Sequence, residues 1–216
     1  MRKRHRARLL HAGRELLGAA LLGAVVGVVA AGFLTALHFA TATLDTHPAL
    51  LWGLPVMGAL IAGWYRETGT RIAAGVPLLM RVAATPNTAP PVAFRLVPVG
   101  THLFGGAAGR EGVAVQVGGT FGDLLSRFAK TSPRSRRVWV QAGMAGGFGA
   151  VFGTPLAGAV FGCEALPRLP HRSRFAALSS CVVAAIVGDA VVRLLGVSHT
   201  HYAAVAPTVV PWGYVV

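Results

Sequence analysis

Gly105-Gly106-Ala107-Ala108-Gly109-Arg110-Glu111-Gly112-Val113-Ala114-Val115-Gln116 sets a cation and an anion side by side within apolar sequence. Upstream, Val92 to Gly106 is largely apolar. Downstream, Gly112 to Leu125 resumes the pattern, with Asp123 near its end. Each piece is shorter than the ~20 residues a membrane-crossing helix needs. Apolar half-helices that meet at glycine-rich backbone beside charge are a recurring arrangement of transport sites. The glycines at 105, 106 and 109 permit a sharp turn, and a helix is predicted to begin near Gly112. The first N–H groups of a helix lack internal partners and carry the positive end of its dipole, which makes them an anion site. Glu111 is placed to fill that site as a tethered anion, and to vacate it when protonated or displaced. On residues alone the alternative is an interfacial Arg110–Glu111 salt bridge.

The composition surrounding this stretch excludes a soluble enzyme. Hydrophobic residues make up 54% and charged residues 12%, against roughly 25% charged in soluble domains. The mean hydropathy is +0.60. A net charge of +13 would suit a nucleic-acid binder, but its distribution does not. Arg2, Lys3, Arg4, Arg6, Arg8 and Arg14 crowd the N-terminus; Arg134, Arg136 and Arg137 form a second group, and Arg168, Arg172 and Arg174 a third. Each borders an apolar run, as topology-setting charges do, with the basic side cytoplasmic. No nucleic-acid partner is expected, and the N-terminus is assigned to the cytoplasm.

The first span is uninterrupted from Leu16 to Leu44, and a shorter run follows from Leu50 to Tyr65, with Trp52, Trp64 and Tyr65 as interfacial aromatics. Ala73 to Val82 is too short to cross, and Thr85 to Pro91 reads as a loop. Val138 to Phe152 and Thr154 to Leu166 repeat the broken-helix pattern. Gly153 separates them, and Pro155 sits where a helix start tolerates it. Phe175 to Val197 spans if Asp189 and Arg193 pair one turn apart. Glycines four apart (Gly23/Gly27, Gly105/Gly109, Gly143/Gly147, Gly149/Gly153, Gly158/Gly162) predict closely packed helices. Cys163 and Cys181 read as small buried thiols. His199 and His201 have no carboxylate near them in sequence, so no metal site is assigned, and no cofactor is expected.

Gly109-Arg110-Glu111-Gly112 with Val115-Gln116 resembles the Gly-Arg-Glu-Gly-Pro-x-Val-Gln signature of the CLC chloride channels and proton-coupled antiporters. The block Ala142-Gly143-Met144-Ala145-Gly146-Gly147-Phe148-Gly149-Ala150-Val151-Phe152-Gly153-Thr154-Pro155-Leu156-Ala157-Gly158 resembles that family's next conserved segment, and Glu164 stands where the family has a helix-ending glutamate. Thr101-His102-Leu103-Phe104-Gly105-Gly106, leading into the signature, is similar to the fluoride-exporting branch. The resemblance implies an all-α integral membrane protein, a bundle of tilted and broken helices forming the first of two inverted repeats. It implies a multi-pass protein of the cell (inner) membrane that moves fluoride or chloride, coupled to protons, as a homodimer or beside a C-terminal half. Glu111 is the gating glutamate by the same carry-over. Gly109, Arg110, Gly112 and Val113, with Gly75 and Val76 of a first filter loop, line the anion path, and Gly153, Pro155 and Glu164 are structural. The expected organisation is a basic cytoplasmic segment 1–15, a membrane half 16–200, and a loop 201–216 leading to a second half.

Several positions depart from that pattern. Val113 replaces the signature proline, a change similar to the fluoride branch. Ala73-Ala74-Gly75-Val76-Pro77 matches the Gly-Ser-Gly-Ile-Pro loop without a hydroxyl, whether Ala74 or Val76 takes the serine position. Ala165 stands where chloride exchangers carry a second glutamate, and Pro98, Val99 and Gly100 shorten the preceding helix. Because the resemblance covers only the first repeat, a non-conducting remnant or regulatory membrane subunit is the alternative. A membrane hydrolase using Ser179 or Ser180 lacks a Gly-x-Ser setting.

Overall fold

The computed structural model describes residues 2–68, 77, 97–165 and 171–199. Its helices are α1 (Arg2–Thr46), α2 (Leu54–Thr68), α3 (Val97–Leu103), α4 (Glu111–Phe128), α5 (Pro133–Phe152), α6 (Pro155–Glu164) and α7 (His171–Leu194), with a 3-10 turn over Pro48–Gly53. Among the described residues there is no strand. Pro77 is helical and exposed, whereas Ala73, Ala74, Gly75 and Val76 lie outside the described residues, as does 201–216.

Among the described residues, two helices are long and apolar enough to cross a membrane, Ala12–Thr46 within α1 and Arg174–Leu194 within α7. At ~1.5 Å per residue the first is about 52 Å long, well beyond a ~30 Å hydrocarbon core, so it must tilt or project. The run expected from Leu50 to Tyr65 does not form one helix. Pro48 and Pro55 divide it between the 3-10 turn and α2. Proline fits a helix start but lacks the N–H that would continue one.

α5 is the hub, and its glycines are the reason. A Cβ on Gly118 or Gly122 of α4 would overlap the Gly143 or Trp139 carbonyl of α5, and one on Gly143 or Gly147 would overlap the Gly118 or Ala114 carbonyl. The two backbones therefore touch, which only glycine permits. Gly158 and Gly162 seat α6 against α5 in the same way, with virtual Cβ positions 2.7 Å from Ala145 O and 2.6 Å from Gln141 O. Gly23 and Gly27 seat α1 on α7, 2.6 Å from Ala184 O and 2.7 Å from Gly188 O. The expected Gly23/Gly27, Gly143/Gly147 and Gly158/Gly162 pairs all serve this purpose. Gly149 also packs on Ala185, but Gly105 and Gly109 lie in a turn rather than a helix face.

These contacts fix directions. α1, α5 and α7 run parallel, with Gly18 at Trp139, Gly23 at Ala184 and Gly27 at Gly188, while α4 and α6 run the opposite way. Arg127, Arg134, Arg136, Arg137 and Arg174, scattered in sequence, therefore gather with Arg14 at one end of the bundle. Arg136 is not a loop charge. It is buried in α5, where its Nε donates to Asp123 Oδ1, while Arg127 Nε donates to Asp123 Oδ2 at 2.7 Å. The indole Nε1 of Trp139 donates to buried Glu15 Oε2 at 2.7 Å, tying α1 to α5 at the same end.

Gly143→Val should separate α4 from α5 and cost more than about 3 kcal/mol by overpacking. Gly32→Val, where a Cβ meets nothing within 4 Å, should be close to neutral; unfolding in mixed detergent micelles compares them. Asp123→Asn, which strips the carboxylate from buried Arg136, should cost about 3–5 kcal/mol in the same titration.

Candidate functional site

The turn that delivers Glu111 is built by glycine. α3, only seven residues long, closes when Gly105 N–H donates to His102 O at 3.0 Å and Gly106 N–H to Thr101 O at 2.9 Å. This is the Schellman pattern, which needs a left-handed residue at the turn, and Gly105 has φ +81°. Leu51 of the 3-10 turn lies where a Gly105 Cβ would be, and Leu54 of α2 lies 3.0 Å from a Cβ position on Gly106. The 3-10 turn and the start of α2 thus clamp the elbow, and irregular backbone carries on to Arg110.

α4 begins at Glu111, one residue before the expected start, with Arg110 as N-cap and no cap bond from its side chain. Ala114 N–H donates to Arg110 O at 3.0 Å. The N–H groups of Glu111, Gly112 and Val113 thus precede the first intrahelical bond and point out of the helix end. Glu111 folds back over the glycine stretch, its Oε2 3.8 Å from where a Gly109 Cβ would sit, while a Cβ at Gly112 would meet nothing within 4 Å. Glu111 and Gly112 are exposed in this chain by itself, and Arg110 is half-buried. Glu111, Gly109, Arg110, Gly112 and Val113 are thus brought together; Gly75 and Val76 lie outside the described residues.

The site sits at depth. Val113 and Ala114 pack against Ala30, Ala31, Phe33 and Leu34 of α1, and α1 continues from Leu34 to Leu44, about 15 Å further. Behind the first turn of α4 an apolar cleft is lined by Val26, Val29, Ala30, Phe33, Val117 and Val151, among others. Such a lining offers an anion no hydrogen bond. The N–H groups at the start of α4 and the Gly109–Gly112 backbone are the polar ground beside Glu111. Val115 points inward, 2% exposed, against Val140 and Met144.

The second broken-helix junction is equally specific. Gly153 caps α5 in the left-handed region, φ +67°, its N–H donating to Gly149 O at 2.9 Å. Thr154 and Pro155 then start α6 in the reverse direction. Glu164 ends α6 exposed, and Ala165 caps it. Phe148 stacks on Phe161 at 5.2 Å and meets Phe152 at 4.7 Å, joining the arms of this hairpin.

Sequence reading missed the contribution of His199. Its Nε2 lies 2.9 Å from Ala150 O and 3.8 Å from Asp189 Oδ1, and its ring packs against Gly153. The expected Asp189–Arg193 pair forms at 2.9 Å. So His199 does have a carboxylate nearby, one that folding supplies from ten residues upstream. His201 lies outside the described residues. Ser179 Oγ donates to Ala176 O at 3.1 Å, which spends that hydroxyl on its own helix.

Residues 57–216 match the voltage gated chloride channel family. Over 190 residues the chain is 44% identical to the chloride/fluoride channel protein of Pseudomonas syringae pv. tomato, covering 85% of this chain and 41% of that protein. It is 29% identical over 199 residues to the H(+)/Cl(-) exchange transporter ClcA of Vibrio vulnificus, covering 82% and 42%. In solved structures it resembles a CLC-type fluoride/proton antiporter with a TM-score of 0.74 at 29% identity, covering 91% of this chain and 51% of that one. It also resembles a slow cyanobacterial Cl−/H+ antiporter, TM-score 0.62 at 27% identity. The chain spans less than half the length of these curated relatives and matches their N-terminal portion.

Gly153→Ala forces a side chain into left-handed backbone and against His199. It should cost about 1–3 kcal/mol, measurable by detergent unfolding against the conformationally ordinary Gly58→Ala.

Proposed function

The chain belongs to the voltage-gated chloride channel family, and from that membership we propose that it forms the N-terminal half of a membrane anion transporter gated by Glu111. The observation that carries this reading is the start of α4. Three N–H groups point from the start of α4, and a carboxylate folds over the side-chain-free Gly109 beside them. Backbone amides preorganised in this way hold a halide without a metal or cofactor, and the helix dipole adds to the attraction.

In the proposed cycle the ionised Glu111 occupies the anion position and blocks it. Protonation removes its charge and with it the electrostatic attraction to the helix end, so the carboxyl swings off and an anion binds at the amides of Gly112 and Val113. Gly109 keeps the swing unobstructed, and Arg110 adds positive charge at the mouth. Gly75 and Val76 complete the path from the filter loop, and Gly153, Pro155 and Glu164 hold the second hairpin. Because one group alternately carries a proton and yields to an anion, the two movements are coupled.

Fluoride is the favoured substrate. The 44% identity is to a protein named for chloride and fluoride, and the fold likeness extends to a fluoride/proton antiporter. The chain also carries no hydroxyl at Ala74 or Val76, either of which matches the chloride carriers' serine position. The proposed organisation is a cytoplasmic segment 1–15, a membrane half 16–200 and a connecting loop 201–216, set in the inner membrane with several passes. Working partners are halide, protons, and a second copy or a C-terminal half. With the basic end of the bundle taken to face the cytoplasm, Glu111, at the other end of α4, lies toward the opposite side.

The test is efflux of fluoride and of chloride from liposomes holding this chain, alone and with a C-terminal half. Fluoride efflux exceeding chloride efflux is expected once the pathway is complete. Glu111→Gln should keep anion flux while proton movement falls to background. No flux of either anion from correctly inserted, paired halves would instead favour a non-conducting membrane subunit.

A further inference from the structure

The two cysteines, eighteen residues apart in sequence and assigned no role in transport, meet at the three-helix junction of α5, α6 and α7. α6 and α7 are antiparallel here, since α6 runs against α5 and α7 runs with it. Ala159 and Cys163 lie one turn apart on α6, and Cys181 and Ala185 one turn apart on α7. All four pack around Ala145 of α5. In an antiparallel pair this spacing sets Ala159 opposite Ala185 and Cys163 opposite Cys181. Both thiols belong to the same packed cluster at this junction, and neither is in a disulfide. Neighbouring residues are small: alanine on both helices, and Gly162, whose missing side chain lets α6 settle on the Gln141 carbonyl.

The surroundings suit a reactive pair better than inert packing. Cys163 is half-buried and Cys181 fully buried, so the first is the more accessible of the two. Gln141, 2% exposed, donates through Nε2 to Cys163 O at 3.3 Å, and its Oε1 has no hydrogen-bond partner. The pair lies toward the arginine-rich end of the bundle, the reducing, cytoplasmic side in the orientation proposed above, where cysteine pairs that do oxidise are transient and redox-sensing.

We propose that Cys163 and Cys181 form a dithiol oxidation site that small-molecule disulfides of the glutathione disulfide class close into an α6–α7 cross-link. The Cys163 thiolate attacks one sulfur of the oxidant, whose S–S bond breaks. One glutathione leaves as thiolate and takes up a proton, and the other remains on Cys163 as a mixed disulfide. Cys181 then gives up its proton and attacks the Cys163 sulfur, expelling the second glutathione. Two thiols become one disulfide, and the two electrons reduce glutathione disulfide to two glutathiones. The product ties the last turn of α6 to the first half of α7, an interface otherwise held by small apolar side chains.

The experiment treats the full chain in liposomes with glutathione disulfide, then denatures, alkylates and reads intact mass. In the wild type both alkylatable thiols should disappear together with no glutathione retained, and reductant should restore both. Cys181→Ser should stop at a stable glutathione adduct on Cys163, and Cys163→Ser should leave Cys181 alkylatable. Circular dichroism confirms that each variant keeps its helices, so a folding failure is recognised as such. The proposal is overturned if the wild type retains two alkylatable thiols, or if it holds a glutathione adduct that never passes to Cys181.

Discussion

The approach of α4 to α5 is close enough that a single Cβ at Gly118, Gly122, Gly143 or Gly147 would strike the backbone opposite. Within lipid no hydrophobic force draws helices together, because a hydrocarbon tail is as apolar as leucine. Association depends instead on how many atoms reach van der Waals contact. Glycine allows backbone to meet backbone, and the chain concentrates its glycines along α5 for this purpose. α4, α6 and α7 each lie on a different strip of that helix. On α6 and α7 the large side chains of Leu156, Val160, Phe175 and Ile186 are turned outward and exposed. The location of Glu111 follows directly, since the position of α4 along α5 sets how deep its first turn lies.

Charge is handled in two distinct ways in this bundle. At the basic end, Asp123 is shared by Arg127 and Arg136, and Glu15 accepts the Trp139 indole. Both arrangements tie helix ends together, and both satisfy a carboxylate that burial would otherwise penalise. Asp189 accepts from Arg193 within α7, and its other oxygen lies 3.8 Å from His199 Nε2 beneath the α5 C-terminus. Glu111 differs in its backbone setting. It belongs to a helix start with open N–H groups and lies over a residue with no side chain. The first three carboxylates are held by side-chain partners, whereas Glu111 is exposed in this chain by itself.

Much of this was legible in the chain. Charge next to charge within apolar sequence marked the Gly109–Gly112 stretch, and glycine followed by Thr154-Pro155 marked the second break. Glycine at four-residue spacing identified three of the packed faces. The Gly118/Gly122 face was not singled out because these residues sit inside the signature helix, where charge and motif dominate the reading. The His199 contact with Ala150 and Asp189 was not legible at all: an α-helical return brings residues ten and forty-nine positions away to one point. The same holds for Cys163 and Cys181, which read as isolated buried thiols until two antiparallel helices set them face to face.

The residues by themselves determined that the chain is a membrane protein, where its helices break, and which glutamate stands at a helix start. Those properties are local: hydropathy needs only a run of some twenty residues, and a turn or cap only a few. The tertiary structure decided depth, neighbours and direction. It set the first turn of α4 well along α1, buried Arg136 against Asp123 rather than leaving it in a loop, and gathered the arginines at one end. Such features depend on contacts between segments far apart in sequence, and a backbone that approaches through glycine leaves no side-chain pattern to announce its partner.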